Sequence, residues 1–194
     1  MNTILSVTDL LAQFGNNNQE IFRYIEKNLI LLNITKGSLL IEPGKICKEV
    51  YFVQKGVFRG YIKEGKKEIT TWLTSEGELV SAIRSFLLKE VTQEQVQALE
   101  DCVVLQFSRK NLNYLFDNYE EFNRFGRVLI ERYYCDAEER TYINRLSNAE
   151  LKYEYFLKTR GQLVNRIPLK YIASFLGMTI ETLSRIRTRF SKAK

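Results

Sequence analysis

The chain has 194 residues, of which 45% are hydrophobic and 27% are charged, a composition typical of a folded globular protein rather than a disordered or fibrous one. It contains no histidine and three widely separated cysteines. Histidine-based catalysis is therefore excluded, and neither a cysteine metal site nor a bound cofactor is expected. The longest aliphatic run, 29–32, is too short to cross a bilayer, and the N-terminus lacks the features of a signal peptide. We expect a soluble, cytoplasmic protein that is not an enzyme and makes no membrane contact.

The excess positive charge is concentrated at one end of the chain. Residues 147–194 carry ten Lys or Arg against three Glu, a net charge of +7, whereas residues 1–146 carry nineteen basic and twenty acidic side chains, a net charge of −1. A basic end attached to a neutral body indicates a nucleic-acid-binding segment. A solvated basic tail is the alternative, and a motif is needed to decide between them.

The hydrophobic patterns predict helices, then strands, then helices again. Residues 8–33 show near-helical spacing of apolar side chains, and residues 35–108 change to short β-rich runs separated by glycines. The runs lie at 38–41, 50–53, 57–62, 69–73 and 103–107. Several short strands with turn signals between them are typical of an antiparallel sandwich or barrel.

After this region a long helix is predicted from about residue 119 to residue 144, with no proline to interrupt it. Its apolar side is formed by Phe122, Phe125, Leu129 and Tyr133. Because a small sandwich cannot cover every face of so long a helix, we expect this side to pack against a second copy in a homodimer. Packing within the chain's own core is the alternative.

Residues 169–186 carry the most specific signal in the chain. Pro168 suits the first turn of a helix, Gly177 the left-handed position of a tight turn, and Thr179 the cap of a second helix. Ala173 is small enough for two helices to cross closely. The apolar side chains spaced to fill the core between the helices are Ile172, Leu176, Met178, Leu183 and Ile186. This combination predicts a helix-turn-helix.

The second helix of this motif exposes side chains suited to DNA. Glu181, Ser184 and Arg185 share the face opposite the core, and these residue types can read base edges in the major groove. The candidate contacts to the DNA backbone are Thr179, Thr182, Arg187, Arg189 and Lys192. An ordinary surface ion pair between Glu181 and Arg185 is the alternative.

These motifs resemble the CRP/FNR family of bacterial transcription regulators, and the likeness covers nearly the whole chain. Gly77-Glu78 and the stretch 51–56 resemble the family's cyclic-nucleotide-binding β-roll, and 181–185 resembles the recognition helix of its FNR branch. The resemblance implies an α+β fold with an N-terminal antiparallel jelly roll flanked by helices, a long dimerisation helix and a C-terminal winged helix-turn-helix. The implied domains are 1–118, 119–146 and 147–194.

Departures from the family pattern concern the effector and the wing. Cyclic-AMP-binding members have an Arg-Ser pair shortly after the Gly-Glu pair, whereas the corresponding segment here, 90–96, has no arginine. The candidate effector pocket consists of Gly77, Glu78, Arg84 and Thr92. We expect no binding of cyclic AMP or cyclic GMP there. The cysteine cluster of oxygen-sensing relatives is missing, and the wing is expected to be short or absent.

The sequence thus predicts a homodimeric, sequence-specific DNA-binding transcription regulator. Its expected partners are double-stranded DNA, a second copy of the chain, RNA polymerase and an unidentified small-molecule effector. The alternative is a cyclic-nucleotide-binding signalling module whose C-terminal helices contact a protein partner. A cupin-type metalloenzyme on a similar roll is disfavoured because no histidine is present to hold a metal.

Overall fold

The computed structural model describes residues 18–192, so the part of the predicted helical region before residue 18 lies outside the described residues. The helices are α1 (Gln19–Asn28), α2 (Ile83–Leu88), α3 (Arg109–Asn118), α4 (Glu120–Arg145), α5 (Ala149–Arg160), α6 (Leu169–Phe175) and α7 (Ile180–Lys192), with a 3₁₀ turn at Gly161–Leu163. The strands are β1 (Ile30–Ile34), β2 (Leu39–Ile41), β3 (Glu49–Lys55), β4 (Phe58–Glu64), β5 (Lys67–Thr74), β6 (Leu79–Val80), β7 (Gln95–Ala98) and β8 (Cys102–Ser108). Within 18–192, no helix combines the length and apolar character needed to cross a membrane.

The strands form two antiparallel sheets that enclose a common core. One sheet has the order β1-β8-β3-β6 and the other β2-β7-β4-β5. Val53 and Val104 from the first sheet and Phe58 and Val96 from the second are fully buried in the same cluster. The predicted antiparallel β architecture is confirmed, and each of the five predicted runs overlaps a strand.

Residues 30–34 correct one expectation, because they form β1 rather than the end of a helix. Helix α1 ends at Asn28, and Leu29 is already extended with a ψ of 140°. The strand pairs with β8, beginning at Ile30 opposite Gln106. Pairing with β8 satisfies the backbone hydrogen-bonding groups of this segment, so tertiary context outweighs its helix-like spacing of apolar residues.

The predicted long helix is confirmed as α4, but the side predicted to meet a second copy faces its own chain. Phe122 and Phe125 are 2% and 6% exposed and pack with residues of α1 and α3, and Leu129 lies against the same cluster. The Tyr133 hydroxyl accepts a hydrogen bond from the Leu79 N–H at 2.7 Å. Phe122 and Phe125 are therefore covered within their own chain, whereas Leu129 and Tyr133 remain half-buried and their dimer contact stays a prediction. All four hold α4 against the roll, because α1 and α3 provide the cover that local pattern alone did not reveal.

The C-terminal helices share a core with the outside of the roll. Val57, Leu73 and Leu99 of the roll belong to the same buried cluster as the apolar residues of α5, α6 and α7. The Ser174 hydroxyl on α6 accepts a hydrogen bond from the Thr70 N–H at 2.9 Å. The helix-turn-helix is thus docked on β5 of its own chain. No strand follows α7 within the described residues.

Candidate nucleic-acid interface and sensor pocket

Helices α6 and α7 form the predicted helix-turn-helix. Gly177 has a φ of +63°, a left-handed conformation that residues with a side chain rarely adopt. The Met178 N–H donates to the Ala173 carbonyl at 3.0 Å, which closes the turn before α7 begins. Ala173 is 1% exposed, as expected of a small residue where two helices approach closely. The backbone therefore follows the turn that these residue types predicted.

The first turn of α7 is held by Thr179, as its position in the sequence predicted. The Thr182 N–H donates to the Thr179 hydroxyl at 3.2 Å, which satisfies one of the unpaired donors at the helix start. Hydrogen bonds from its own backbone N–H and from the Thr179 hydroxyl, together with the charge of Arg185, lower the pKa of the Glu181 carboxyl. Glu181 is therefore held ionised, which suits a hydrogen-bond acceptor.

The face of α7 predicted to read bases is open to solvent. Glu181, Ser184 and Arg185 are all exposed, whereas Leu183 and Ile186 on the opposite side are 0% and 4% exposed. Among the described residues, no ion pair within 4.0 Å joins Glu181 to Arg185. Both side chains thus remain available to an external partner.

The residues predicted to contact the DNA backbone lie in different surroundings. Arg187 is half-buried. Arg189 forms an ion pair with Glu150 of α5 at 2.6 Å, although 75% of its side chain is exposed. Lys192 ends α7, and its side chain lies outside the described part of the structure. An Arg189 contact with phosphate therefore requires exchange with Glu150.

In the predicted effector pocket, Gly77 and Glu78 form a tight connection before β6. Gly77 has a φ of +81°. The Glu78 carboxylate accepts hydrogen bonds from the Thr74 hydroxyl and from the Ser75 N–H, the latter at 3.2 Å. The Arg160 guanidinium of α5 lies 3.9 Å from the same carboxylate. Glu78 thus already has partners within its own chain.

The other two predicted pocket residues lie in contrasting positions. Thr92 is 6% exposed, and its hydroxyl accepts from the Glu94 N–H at 3.0 Å. Arg84 is instead a surface residue, 77% of its side chain being exposed, and it pairs with Glu90 at 3.0 Å. Helix α2 turns Ser85 and Phe86 inward and leaves Arg84 in solvent, so its part in a pocket stays a prediction.

A half-buried carboxylate, Glu94, lies beside Trp72 on the roll. Glu94 Oε1 accepts hydrogen bonds from the Trp72 indole at 2.8 Å and from the Thr71 hydroxyl at 3.1 Å. Burial raises the pKa of Glu94, although these hydrogen bonds and the charge of Arg140 on α4 oppose the shift. The Trp72 ring lies over Gly60, where a Cβ would come within 2.1 Å of it. Trp72 and Arg140 were missed in the sequence because no local motif marks them.

A fully buried arginine joins the roll to α6. Arg59 is 1% exposed, and its guanidinium carbon lies 3.7 Å from the ring centroid of Tyr171 on α6 and 4.0 Å from that of Tyr61. It also contacts the Glu68 carboxylate at 2.5 Å and donates to Gln97 at 2.9 Å. We call Arg59 and these four partners the Arg59 clasp. The clasp was not predicted, because its members are scattered over 59–171.

A second connection of the same kind joins the loop before α6 to the roll. Arg166 pairs with Glu76 at 2.6 Å and also with Glu100. Burial alone would raise the pKa of Glu76, but hydrogen bonds from Arg166 and the Gly56 N–H outweigh it and lower that pKa. In α5, Arg160 donates to the Leu73 carbonyl at 2.8 Å. Buried and half-buried arginines thus fasten the C-terminal helices to the roll.

Comparison with known proteins agrees with this architecture. Residues 31–119 match the family described as Cyclic nucleotide-binding domain. The chain is 26% identical over 171 residues to the transcriptional activator protein FnrA of Stutzerimonas stutzeri, covering 82% of this chain and 69% of that protein. It is 24% identical to the fumarate and nitrate reduction regulatory protein of Vibrio cholerae, over 97% of this chain and 80% of that protein. A transcriptional regulator of the CRP/FNR family from Eubacterium rectale has a similar fold, with a TM-score of 0.71 and 16% identity over 95% of this chain and 88% of that chain.

These matches are to a cyclic nucleotide-binding domain and to regulators of the CRP/FNR type. The resemblance noted in the sequence is thereby confirmed, as is the α+β fold class. These curated relatives are transcription regulators, which are not enzymes.

Proposed function

We propose that this protein is a homodimeric, sequence-specific DNA-binding transcription regulator of the CRP/FNR type. The observation that carries the proposal is the open face of α7, where Glu181, Ser184 and Arg185 are exposed above a buried core. Arginine can bind guanine O6 and N7 bidentately, glutamate can accept from cytosine N4, and serine can contact either base. With Gly177 setting the turn, this face is free to enter a major groove. We expect such a regulator to act in the cytoplasm.

The charge distribution supports the same proposal. The net charge of +7 in residues 147–194 favours the phosphate backbone and supplies affinity without sequence information. Thr179, Thr182, Arg187, Arg189 and Lys192 remain the proposed backbone contacts. Binding is expected to weaken steeply with salt, because each neutralised phosphate releases counterions.

The free face of α4 supports dimerisation through a different set of residues from the one predicted. Ile130, Tyr134 and Tyr142 are 64%, 67% and 66% exposed, on the side away from the Phe122 and Phe125 cluster. Large exposed apolar side chains spaced along one helix are typical of a helix–helix contact. A two-fold dimer through this face would present two copies of α7 about 34 Å apart, one turn of B-DNA, and would favour a near-palindromic operator.

The effector of this regulator is proposed not to be a cyclic nucleotide. A cyclic phosphate carries a negative charge that needs a paired cation or several donors when buried. Arg84 is in solvent, Arg160 is already beside the Glu78 carboxylate, and the half-buried Glu94 carboxylate next to Trp72 would repel an anion. The alternative function, a cyclic-nucleotide-binding signalling module, is favoured by the family match over 31–119. Isothermal titration of nucleotide-free protein separates the two, because saturable heat at micromolar cyclic AMP or cyclic GMP would support the alternative.

The decisive experiment is selection of duplex DNA from a random pool, followed by titration at several salt concentrations. Arg185→Ala should lose about 1–3 kcal/mol of binding free energy and relax the preference at one base pair per half-site. Arg23→Ala removes an equally exposed arginine on α1 and serves as the matched control, with unchanged selectivity expected. A pool that yields no enriched sequence at low salt would contradict the proposal.

A further inference from the structure

A buried lysine connects the end of the long helix to the turn of the helix-turn-helix. Lys152 on α5 is only 7% exposed. Its ammonium donates to the Asn144 carbonyl in the last turn of α4 and to the Leu176 carbonyl at the end of α6, both at 3.1 Å. A Cβ on Gly177 would lie 3.7 Å from the same nitrogen. One side chain thus joins α5, which carries it, to the ends of α4 and α6.

The two acceptors explain why a charged group is stable there. The last carbonyls of a helix have no partner inside the helix and carry the negative end of its macrodipole. Lys152 meets two such ends at once, at Asn144 and Leu176. A buried ammonium is costly without partners, so the side chain has a strong preference for the arrangement that keeps both acceptors within reach.

The position of this contact gives it a mechanical consequence. Helices α4 and α5 are joined by the short non-helical link 146–148. Lys152 spans the link by holding the end of α4, and its second hydrogen bond fixes α6 to α5. Among the contacts that orient the C-terminal helices, Lys152 is thus one that ties α6, which precedes the turn to α7, directly to the end of α4.

We propose that Lys152 is a positioning residue that sets the spacing between the two DNA half-sites. This inference rests on the proposed function, because spacing has meaning only for a dimer that binds duplex DNA through α7. Lys152 contacts no DNA: it orients the helix that does. Loss of its hydrogen bonds frees the recognition helices to sample other directions and so weakens discrimination between operators of different half-site spacing.

The test compares the selected operator with versions carrying one base pair inserted or deleted at the centre. For the unmodified protein each change should weaken binding by about tenfold or more, because half-site spacing is a geometric requirement. We call the affinity for the selected operator divided by the affinity for an altered-spacing version the spacing ratio. Lys152→Met, which keeps the apolar stem and removes the donors, should bring the spacing ratio below about threefold. Lys152→Arg, which keeps charge and donors, should restore most of it. Lys158→Met makes the same change at an exposed site on α5 and should leave the ratio unchanged.

The spacing ratio separates positioning from stability. A merely structural loss lowers the active fraction equally for every operator and leaves the ratio as it was. If Lys152→Met does not fold, Lys152→Gln is measured instead, and a wild-type ratio in either folded variant overturns the inference. An unmodified protein that binds its operator but ignores spacing overturns it as well. An unmodified protein that selects no sequence at all removes the proposed function and this inference together.

Discussion

Replacing Arg59 by methionine tests whether the clasp between the roll and α6 stabilises their docking. The guanidinium is buried between the rings of Tyr61 and Tyr171 and is paired with Glu68 and Gln97. Its Nη1 has no hydrogen-bond partner among the described residues. Methionine has a similar length and fills the same space without the charge, so the variant removes the polar contacts while retaining most of the packing.

The expected change in the free energy of unfolding of Arg59→Met is the balance of opposing contributions. Hydrogen bonds made by the charged guanidinium contribute about 1.5–3 kcal/mol, and each of the two desolvated ring contacts contributes about 0.5–2 kcal/mol. Removal of the unpaired Nη1 returns about 1–3 kcal/mol, and Glu68, whose side chain is 38% exposed, can recover hydration. The net expectation is a loss of about 2 kcal/mol, a factor of about 30 in the folding equilibrium.

Urea titration measures the change in the free energy of unfolding. Unfolding is monitored by the fluorescence of Trp72, the single tryptophan, and by the circular dichroism of the helices. A double-mutant cycle with Tyr171→Leu isolates the contact between roll and α6, with an expected coupling of about 1 kcal/mol or more. Arg84→Met is the matched control, because its ion pair with Glu90 is exposed and is expected to contribute less than about 1 kcal/mol. A coupling indistinguishable from zero, or equal losses for Arg59→Met and Arg84→Met, would refute the reasoning.

Three further outcomes follow from the same structure. Burial raises the pKa of folded Glu94 above its unfolded value, so the unmodified protein should lose stability as the pH rises from the usual glutamate pKa through the raised one, whereas Glu94→Gln should not. A stability difference between the two proteins that urea midpoints find independent of pH contradicts this. Ile130→Glu should convert the dimer to monomer, because it places a charge in an apolar contact; light scattering that still reports a dimer argues against the α4 face. Exposed Cys135 should react with a thiol reagent in the native state, whereas Cys102, buried and with its pKa raised to about 11, should not; equal rates for both would disagree with the fold.

Local features were predictable wherever neighbours in the sequence decide the conformation. The φ of +63° at Gly177 and the cap formed by Thr179 depend on a few adjacent residues, so the helix-turn-helix could be recognised before any packing was known. The exposed positions of Glu181 and Arg185 likewise follow from helical spacing against the buried Leu183. Strand β1 was not predicted from local sequence, because its conformation depends on pairing with the distant β8.

The sequence by itself determined the order of the helical and β-rich regions, the helix-turn-helix and the resemblance to the CRP/FNR family. Only the tertiary structure decided which side of α4 is free, since Phe122 is covered by α1 and α3 while Ile130 is left exposed. Only the tertiary structure shows that Arg84 is in solvent whereas Arg59 is buried against α6. It also shows that Lys152 contacts the ends of two other helices. The physical reason is that periodicity specifies which residues share a face of an element, whereas the partner of that face is set by long-range packing that no local pattern encodes.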